Sequence, residues 1–564
     1  MFAAALPSRK NPLIWGGVLA LIIAAIYLPI LSNGFVYDSE SQVLNDSFIH
    51  DLRNLPDVLT LRVLSRDVLD FNRPVNLASL MMDSIIWAKN PFGYHLTNLL
   101  LHVCVCLLLF TALSRWGNVP VAFGAALLFG LHPVNVEAVA EVAFREDLLV
   151  VFFALGGLLL VDYLEGSRWG IVAGVVCFFM AAASKETGMI TPIWLGAWWL
   201  LGLGGRGSEG IAEVESGKSN VESKSKLGQT GRKKRRNWTG IAPHFRVPTF
   251  DFGLAGAASP SAKAYANPCY WWILLGGSAV VVGAFTACRF ILAPQHSAIF
   301  TEAASRLGGS LIDTLLIQTR IWAAYFCQIL FPVNLCADYG AYSLRNFSLA
   351  TSLVVLLVMG AAQMYLSCQS RLFAFGAMTF WFFLLPASNF IPMFRPMADR
   401  FLYFPMIGAA IMLASLLTRF RKRGPAALCL AGFLVVAVAL GSQTFAREQV
   451  WHDNISLWKA TLETNPLSRT AFDNLTGALV QAGRPEEALK YFENGIPISR
   501  VPDAEAYAVR ALALEAVGRH EEADAAFKTA VRLDSRYGTP DRLVQALTWN
   551  RHDADKLQLI ANRN

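Results

Sequence analysis

The sequence predicts an all-α, polytopic membrane protein that ends in tetratricopeptide-type helical repeats. Of its 564 residues 54% are hydrophobic and 16% charged, whereas a soluble globular chain carries about 25% charged residues. Apolar runs of roughly 18 to 25 residues recur through the first 445 positions, and each is long enough to cross about 30 Å of hydrocarbon as a helix. From Ala446 the runs stop, and charged, alanine-rich, periodic sequence follows.

Taken in order, the apolar windows fall near 13–32, 94–114, 119–139, 147–164, 169–187, 189–204, 270–292, 347–367, 372–391, 401–418 and 425–444. That makes about eleven spans. Arg9 and Lys10 precede the first run, which has no small-residue cleavage site and reads as a retained span. With the N-terminus inside, Arg115, Arg168, the run Arg232, Lys233, Lys234, Arg235 and Arg236, then Arg371, and then Arg419, Arg421, Lys422 and Arg423 share the cytoplasmic side, as basic loops do. The stretch Leu307–Val333 is apolar but holds Asp313, Gln318 and Arg320. A crossing there would split the basic clusters between two faces, so it is expected to lie at the outer interface or to re-enter. An odd count places the C-terminal segment outside. The expected organisation is therefore a transmembrane domain at 1–445, with a largely disordered cytoplasmic insert at 205–267, and an outward-facing repeat domain at 446–564.

The net charge of +7 does not indicate nucleic acid, because the basic residues cluster in loops between spans. The insert's basic run suits topology fixing, with anionic lipid headgroups as the alternative. The nine cysteines lie mostly in apolar segments and read as small buried hydrophobes. Near the C-terminus, Gly483, Ala488 and Phe492 recur 35 positions later as Gly518, Ala523 and Phe527, and Trp458 marks an earlier half-repeat. Small residues let paired helices approach and aromatic residues fill the seams, giving stacked helical hairpins. Such stacks bind peptides or serve as structural caps.

Ionisable groups at membrane depth are costly and mark function. Here Asp38, Glu40, Asp46, Arg73, His132, Glu137, Arg145, Asp147, Lys185, Glu186, Asp399 and Arg400 all fall at the outer ends of spans, which points to a single polar cavity. Asp38 and Glu40 open a long first outer loop and are candidates for a general base, a divalent-cation site or plain solvated acids. Arg73, before Pro74, suits bidentate phosphate recognition. His95, Asn98 and His102 share one helix face, which fits interhelical hydrogen bonding better than metal ligation. Arg145 with Asp147 and Lys185 with Glu186 are ion pairs or a lipid-phosphate site. The candidate pocket lining is His95, His132, Glu137, Glu186, Tyr339 and Asp399.

Ordered motifs along the chain carry a family resemblance: NGFVYD ending at Asp38, RPVNLASL from Arg73, NPFGYHLTNLLLH at 90–102, LHPVNVEAVAEVAFREDLL at 131–149, SKETG at 184–188, FPVNLCADYG at 331–340 and LPASNFIPMFRPMADRFLYFP at 385–405. The chain resembles the transmembrane-and-tetratricopeptide O-mannosyltransferase family, within the GT-C class of glycosyltransferases. The resemblance implies a GT-C-like helical fold and a dolichyl- or undecaprenyl-phosphate sugar donor, mannose favoured. The acceptor would be a protein or peptide hydroxyl, delivered through the repeats. It implies a lumenal or periplasmic active site in a multi-pass membrane protein, with a bacterial inner membrane favoured and the endoplasmic reticulum if the chain is eukaryotic. It implies Asp38 as base and Arg73, Arg145, Lys185 and Arg400 as holders of the leaving phosphate. No cofactor is certain; a divalent metal is possible. Where the family shows two successive acids after the tyrosine, this chain has Asp38, Ser39 and then Glu40, with Glu40 the candidate substitute. Its Ala-Glu-Arg appears as Ala398, Asp399 and Arg400. The alternative is a non-catalytic, membrane-anchored repeat scaffold. A solute transporter is disfavoured, because the charges gather at one face and the sequence shows no inverted repeat or broken-helix pair. Asn45, Asn454 and Asn474 head N-x-S/T patterns on the expected outer side.

Overall fold

A computed structural model describes residues 12–203, 268–292, 308–340, 348–390, 393, 395–420, 426–493, 504–539 and 551–563. The insert expected at 205–267, with its basic run from Arg232 to Arg236, and the cluster Arg421, Lys422 and Arg423 lie outside the described residues. The described residues form helices, turns and loops, with no strand among them.

Helix starts follow from local chemistry. Proline stands at the first or second helical position of Pro74–Trp87, Pro91–Trp116, Val119–Gly130 and Thr191–Leu200, where its missing N–H is harmless. Side-chain oxygens of Asn90, Ser167, Ser310, Ser348 and Ser370 cap the helices that follow them, each satisfying an otherwise orphaned N–H.

Six of these helices are long and apolar enough to cross a membrane: Pro12–Ser32, Pro91–Trp116, Cys269–Leu292, Leu349–Gln369, Asp399–Arg419 and Ala427–Val450. A pair bent by 52°, Val119–Gly130 with Pro133–Ala140, makes a seventh if taken as one span. In Leu349–Gln369 11% of the apolar window is buried by protein, against 61% in Asp399–Arg419. Apolar faces left open on that scale are tolerated in lipid and not in water, so the chain is a multi-pass membrane protein. The remaining four windows each hold a helix that falls short of a plain span. Arg145–Tyr163 carries Arg145, Glu146, Asp147 and Asp162, while Arg168–Ser184, Thr191–Leu200 and Arg371–Leu384 have 17, 10 and 14 residues.

The helix Leu311–Leu330 touches one end of the array at several points along its length. Asn389 bonds Gln318, Tyr325 bonds Ala398, Gln328 bonds Tyr339, and the Ile329 carbonyl meets His132. The helix also packs along Leu349–Gln369, and its Trp322 and Phe326 rings meet Trp381 and Phe380 of Arg371–Leu384. At the opposite end Arg115 pairs with Asp162 and Ser370 bonds Ser415.

The first long loop is ordered, as expected of it. It carries the helix Pro74–Trp87 and a separate small core of Val43, Phe48, Ile49, Val58, Val63, Phe71, Leu77, Leu80 and Met81. Beyond Trp451, helices Asn454–Thr464, Arg469–Gln481, Pro485–Glu493, Ala504–Ala516 and His520–Leu533 pack against their neighbours in chain order. Gly483 and Gly518 have φ of +72° and +81°. At each the same pair of reversed hydrogen bonds ends the helix, Arg484 N–H to Leu479 and Arg519 N–H to Leu514 being the outer ones, a turn that glycine makes without steric cost. Ala488 and Ala523 are fully buried.

Candidate active site

The first span ends at Ser32, and the chain turns through Tyr37, whose φ of +53° is left-handed. A side-chain-bearing residue adopts that conformation at a cost of about 1–2 kcal/mol, so the surroundings must hold it. They do: the Tyr37 N–H donates to Asn454 Oδ1 at 2.9 Å, and its ring meets Phe144 and Trp458 edge-on. The Arg395 guanidinium lies 5.3 Å from the ring centroid.

Asp38 follows. Among the described residues no hydrogen bond or ion pair engages its carboxylate. Burial pushes its pKa up, the charges of Arg400 and Arg395 pull the other way, and Glu146 and Glu137 add to the rise. Its two successors are committed. The Ser39 amide and hydroxyl both donate to Glu141 Oε1, the amide at 2.8 Å, and the Ala143 N–H donates to Ser39 Oγ. A carboxyl therefore does stand beside position 39, supplied from the second polar loop. Glu40 accepts from Asn454 Nδ2 at 2.7 Å; burial raises its pKa against that bond.

Arg73 and Lys185 meet across shared carboxylates. Arg73 pairs with Glu146 at 2.7 Å, Asp70 at 3.0 Å and Glu186 at 3.3 Å. Lys185 pairs with Asp147 at 2.6 Å and with the other oxygen of Glu146 at 3.3 Å. Arg289 and Asn72 complete the shell of Glu186. Although burial opposes its ionisation, the guanidinium groups of Arg73 and Arg289 hold Glu186 well below the usual carboxylate range. Burial pushes Asp70 up to about 6 despite Arg73.

On the other side of Asp38, Arg400 Nη1 pairs with Glu137 and its guanidinium lies 3.8 Å from the Phe144 ring centroid. Among the described residues its Nη2 and Nε make no hydrogen bond. Asp399 accepts from the Tyr339 hydroxyl and lies 3.6 Å from Arg447. Arg395 pairs with Asp338, which also accepts from the Ser468 hydroxyl at 2.5 Å.

Other expected residues are occupied elsewhere. Arg145 is fully buried, with its donors on Asn98, Ser79, the Tyr94 carbonyl and Asp83. Those partners engage its guanidinium in a buried structural tie. His95 meets the Gly34 carbonyl and His132 the Ile329 carbonyl, while Asn98 and His102 bond to neighbouring elements through Val139 and Tyr403. Among the described residues no group of three or more His, Cys, Asp or Glu side chains is arranged to hold a metal ion. The neighbours that act on Asp38 include two arginines. The described residues around Asp38 do not fit a divalent-cation site.

Glu141, Glu146, Arg289, Asp338 and Arg395 are not singled out by sequence, and Asn454 stands out there only as the head of an N-x-S/T pattern. Arg289 and Glu146 had a signal, an ionisable residue within an apolar run. Asn454 looked like a glycan acceptor, yet its amide is engaged on both sides.

No family model matches the chain. It is 23% identical to the protein O-mannosyl-transferase F38B6.6 of Caenorhabditis elegans over 84% of this chain and 61% of that one. Against protein O-mannosyl-transferase Tmtc3 of Drosophila melanogaster the figures are 25%, 82% and 52%, and against TMTC1 of Homo sapiens 23%, 76% and 48%. The chain thus spans about half to three-fifths of the length of these relatives. Among solved structures, an archaeal oligosaccharyltransferase, AglB from Archaeoglobus fulgidus in complex with an inhibitory peptide and a dolichol-phosphate, aligns over 86% of this chain and 60% of its own. Its sequence identity is 14% and its TM-score 0.36, too distant a likeness to bear on the argument. Through most of its length, the chain is similar in sequence to the transmembrane-and-tetratricopeptide protein O-mannosyl-transferases.

Proposed function

We propose that this chain is a GT-C-type glycosyltransferase that moves a sugar, mannose favoured, from a polyprenyl-phosphate donor to a hydroxyl, a protein Ser or Thr favoured. The observation that carries the reading is the carboxylate of Asp38, unpaired among the described residues and held at the meeting point of the polar loops within the field of Arg400. Asp38 accepts the proton of the acceptor hydroxyl as its oxygen attacks the anomeric carbon. The bond from that carbon to the phosphate oxygen breaks with its electron pair, and the configuration inverts. Arg400, with donors to spare, receives the departing lipid phosphate, and Lys185 and Arg73 supply further positive charge where negative charge develops.

The reading takes the chain to cross the membrane eleven times. The chain comes back to the polar end at 33–40, 132–147, 185–190, 289, 388–400 and 447–451, the ends that odd-numbered spans reach when the helix Leu311–Leu330 lies across the end. The polar end is then periplasmic, in a bacterial inner membrane, or lumenal. The segment from 446 onward is a tetratricopeptide domain on that same side, presenting the acceptor.

The test is transfer of labelled sugar from polyprenyl-phosphate-mannose and polyprenyl-phosphate-glucose to membrane protein and lipid, comparing the unaltered chain with Asp38→Asn. Transfer is expected to fall by about 10²–10⁴-fold in the variant with the fold intact. In the unaltered chain the rate should climb with pH along a limb set above the ordinary aspartate value, because a base with a raised pKa becomes competent only once it has lost its proton. Consumption of neither donor would leave the chain as a membrane-anchored repeat scaffold.

A further inference from the structure

The loop that carries Asp38 is held from the C-terminal segment. Gly34 N–H donates to the His452 carbonyl at 3.1 Å, and His452 Nδ1 meets Asn33 Oδ1 at 3.3 Å. Asn454 Oδ1 then accepts from Tyr37 N–H at 2.9 Å while its Nδ2 donates to Glu40 at 2.7 Å. Trp458, one helical turn on, sets its ring 5.0 Å from that of Tyr37. The orientation of the Asn454 amide is not arbitrary, since a backbone N–H can only donate and a carboxylate only accept. One side chain therefore fixes the residue before Asp38 and the second residue after it. Tyr37 is left-handed at φ +53°, a conformation that persists only where its surroundings impose it.

We propose that Asn454 is a positioning residue for Asp38, so that the first helix beyond the last span is a working part of the transfer site. The proposal rests on the glycosyltransferase reading for its effect on rate, but not for the clamp itself. An amide is required: a carboxylate at 454 still accepts from Tyr37 but faces Glu40 with like charge, whereas a glutamine at 40 would donate back to that carboxylate and close the clamp again.

Three full-length proteins decide it: the unaltered chain, Asn454→Asp, and Asn454→Asp with Glu40→Gln. Two readouts are taken, turnover with polyprenyl-phosphate-mannose and amide hydrogen exchange across residues 33–40. The single variant should lose about 10- to 100-fold in kcat, as expected for a displaced reacting group, with KM for the donor unchanged and faster exchange at 37–40. The double variant should recover both. Unchanged exchange and kcat in Asn454→Asp would overturn the proposal, as would a double variant no better than the single one while melting at the same temperature. If the unaltered chain transfers no sugar, the enzymatic reading falls, and exchange at 37–40 then shows whether the clamp stands.

Discussion

At position 39, where the family resemblance implies an acid, a buried serine meets a carboxylate from 102 positions away: Glu141 Oε1 accepts two bonds from Ser39 while its Oε2 is buried without a partner among the described residues. Glu141→Ala would strand the Ser39 N–H and hydroxyl in a dry site. An unsatisfied buried group costs about 1–3 kcal/mol, so the thermal midpoint in detergent should drop and transfer should fall with it. Glu141→Gln keeps an acceptor oxygen and should hold most of that stability. Arg145 separates two roles in the same way. Arg145→Met leaves Asp83 buried and uncompensated, a loss of about 3–5 kcal/mol, and should appear as lost folded protein by size-exclusion chromatography. A phosphate-binding Arg145 would instead yield folded protein with weakened donor affinity. The same residues show what a sequence makes legible. Asp38 stood out because an acid directly after an apolar run and a tyrosine is locally conspicuous. The duty of Glu40 did not, because its partner Asn454 lies 414 positions away, and nothing local distinguishes a clamped carboxylate from a free one.

Apolar periodicity located helices at all the expected windows, since twenty apolar residues must satisfy their own backbone in lipid. It did not show where a helix stops short. The window near 119–139 breaks after Gly130, where His132 and Pro133 open a new turn and the axis bends by 52°. The helix Pro74–Trp87 was equally hidden, because a polar surrounding masks one short amphipathic element. What the windows could not tell at all is which glycines are contacts. Gly376 and Gly408 lie where Arg371–Leu384 crosses Tyr403–Phe420. A Cβ on Gly408 would fall 2.5 Å from the Gly376 carbonyl oxygen and 2.5 Å from the Phe380 nitrogen. Backbone blocks both approaches, so no side chain can swing aside, and small residues are what allow helices to approach this closely in lipid. Gly408→Ala should therefore force the pair apart, lower the thermal midpoint by several degrees and reduce transfer, since Arg400 sits just before Tyr403–Phe420. Gly432→Ala, with nothing within 4 Å of the added carbon, is the control that should leave the midpoint in place.

At the scale of the molecule, the polar contacts constrain topology more tightly than hydropathy does. Asp338 pairs with Arg395 and receives Ser468 and, through its carbonyl, Asn465, so the segment after Leu311–Leu330, the loop before Asp399 and the start of the C-terminal helices lie together. Arg115 with Asp162, and Ser370 with Ser415, tie the other ends together. A charged side chain at the centre of a bilayer costs about 2.5–3.5 kcal/mol on insertion scales, which makes it costly for either set to be drawn to mid-membrane. Single cysteines placed at Ser167 and at Lys459, in a chain whose nine native cysteines are serine, should therefore react with a membrane-impermeant maleimide from opposite sides of sealed vesicles. A cysteine at Arg395 should side with Lys459. Were Leu311–Leu330 a true crossing, Ser167 and Lys459 would fall on the same side if every other window still spans, and a cysteine at Ser167 would label together with Lys459. The orientation with Ser167 opposite Lys459 keeps Asp38, Arg400 and Asn454 in one aqueous compartment, which a transfer site built from all three requires.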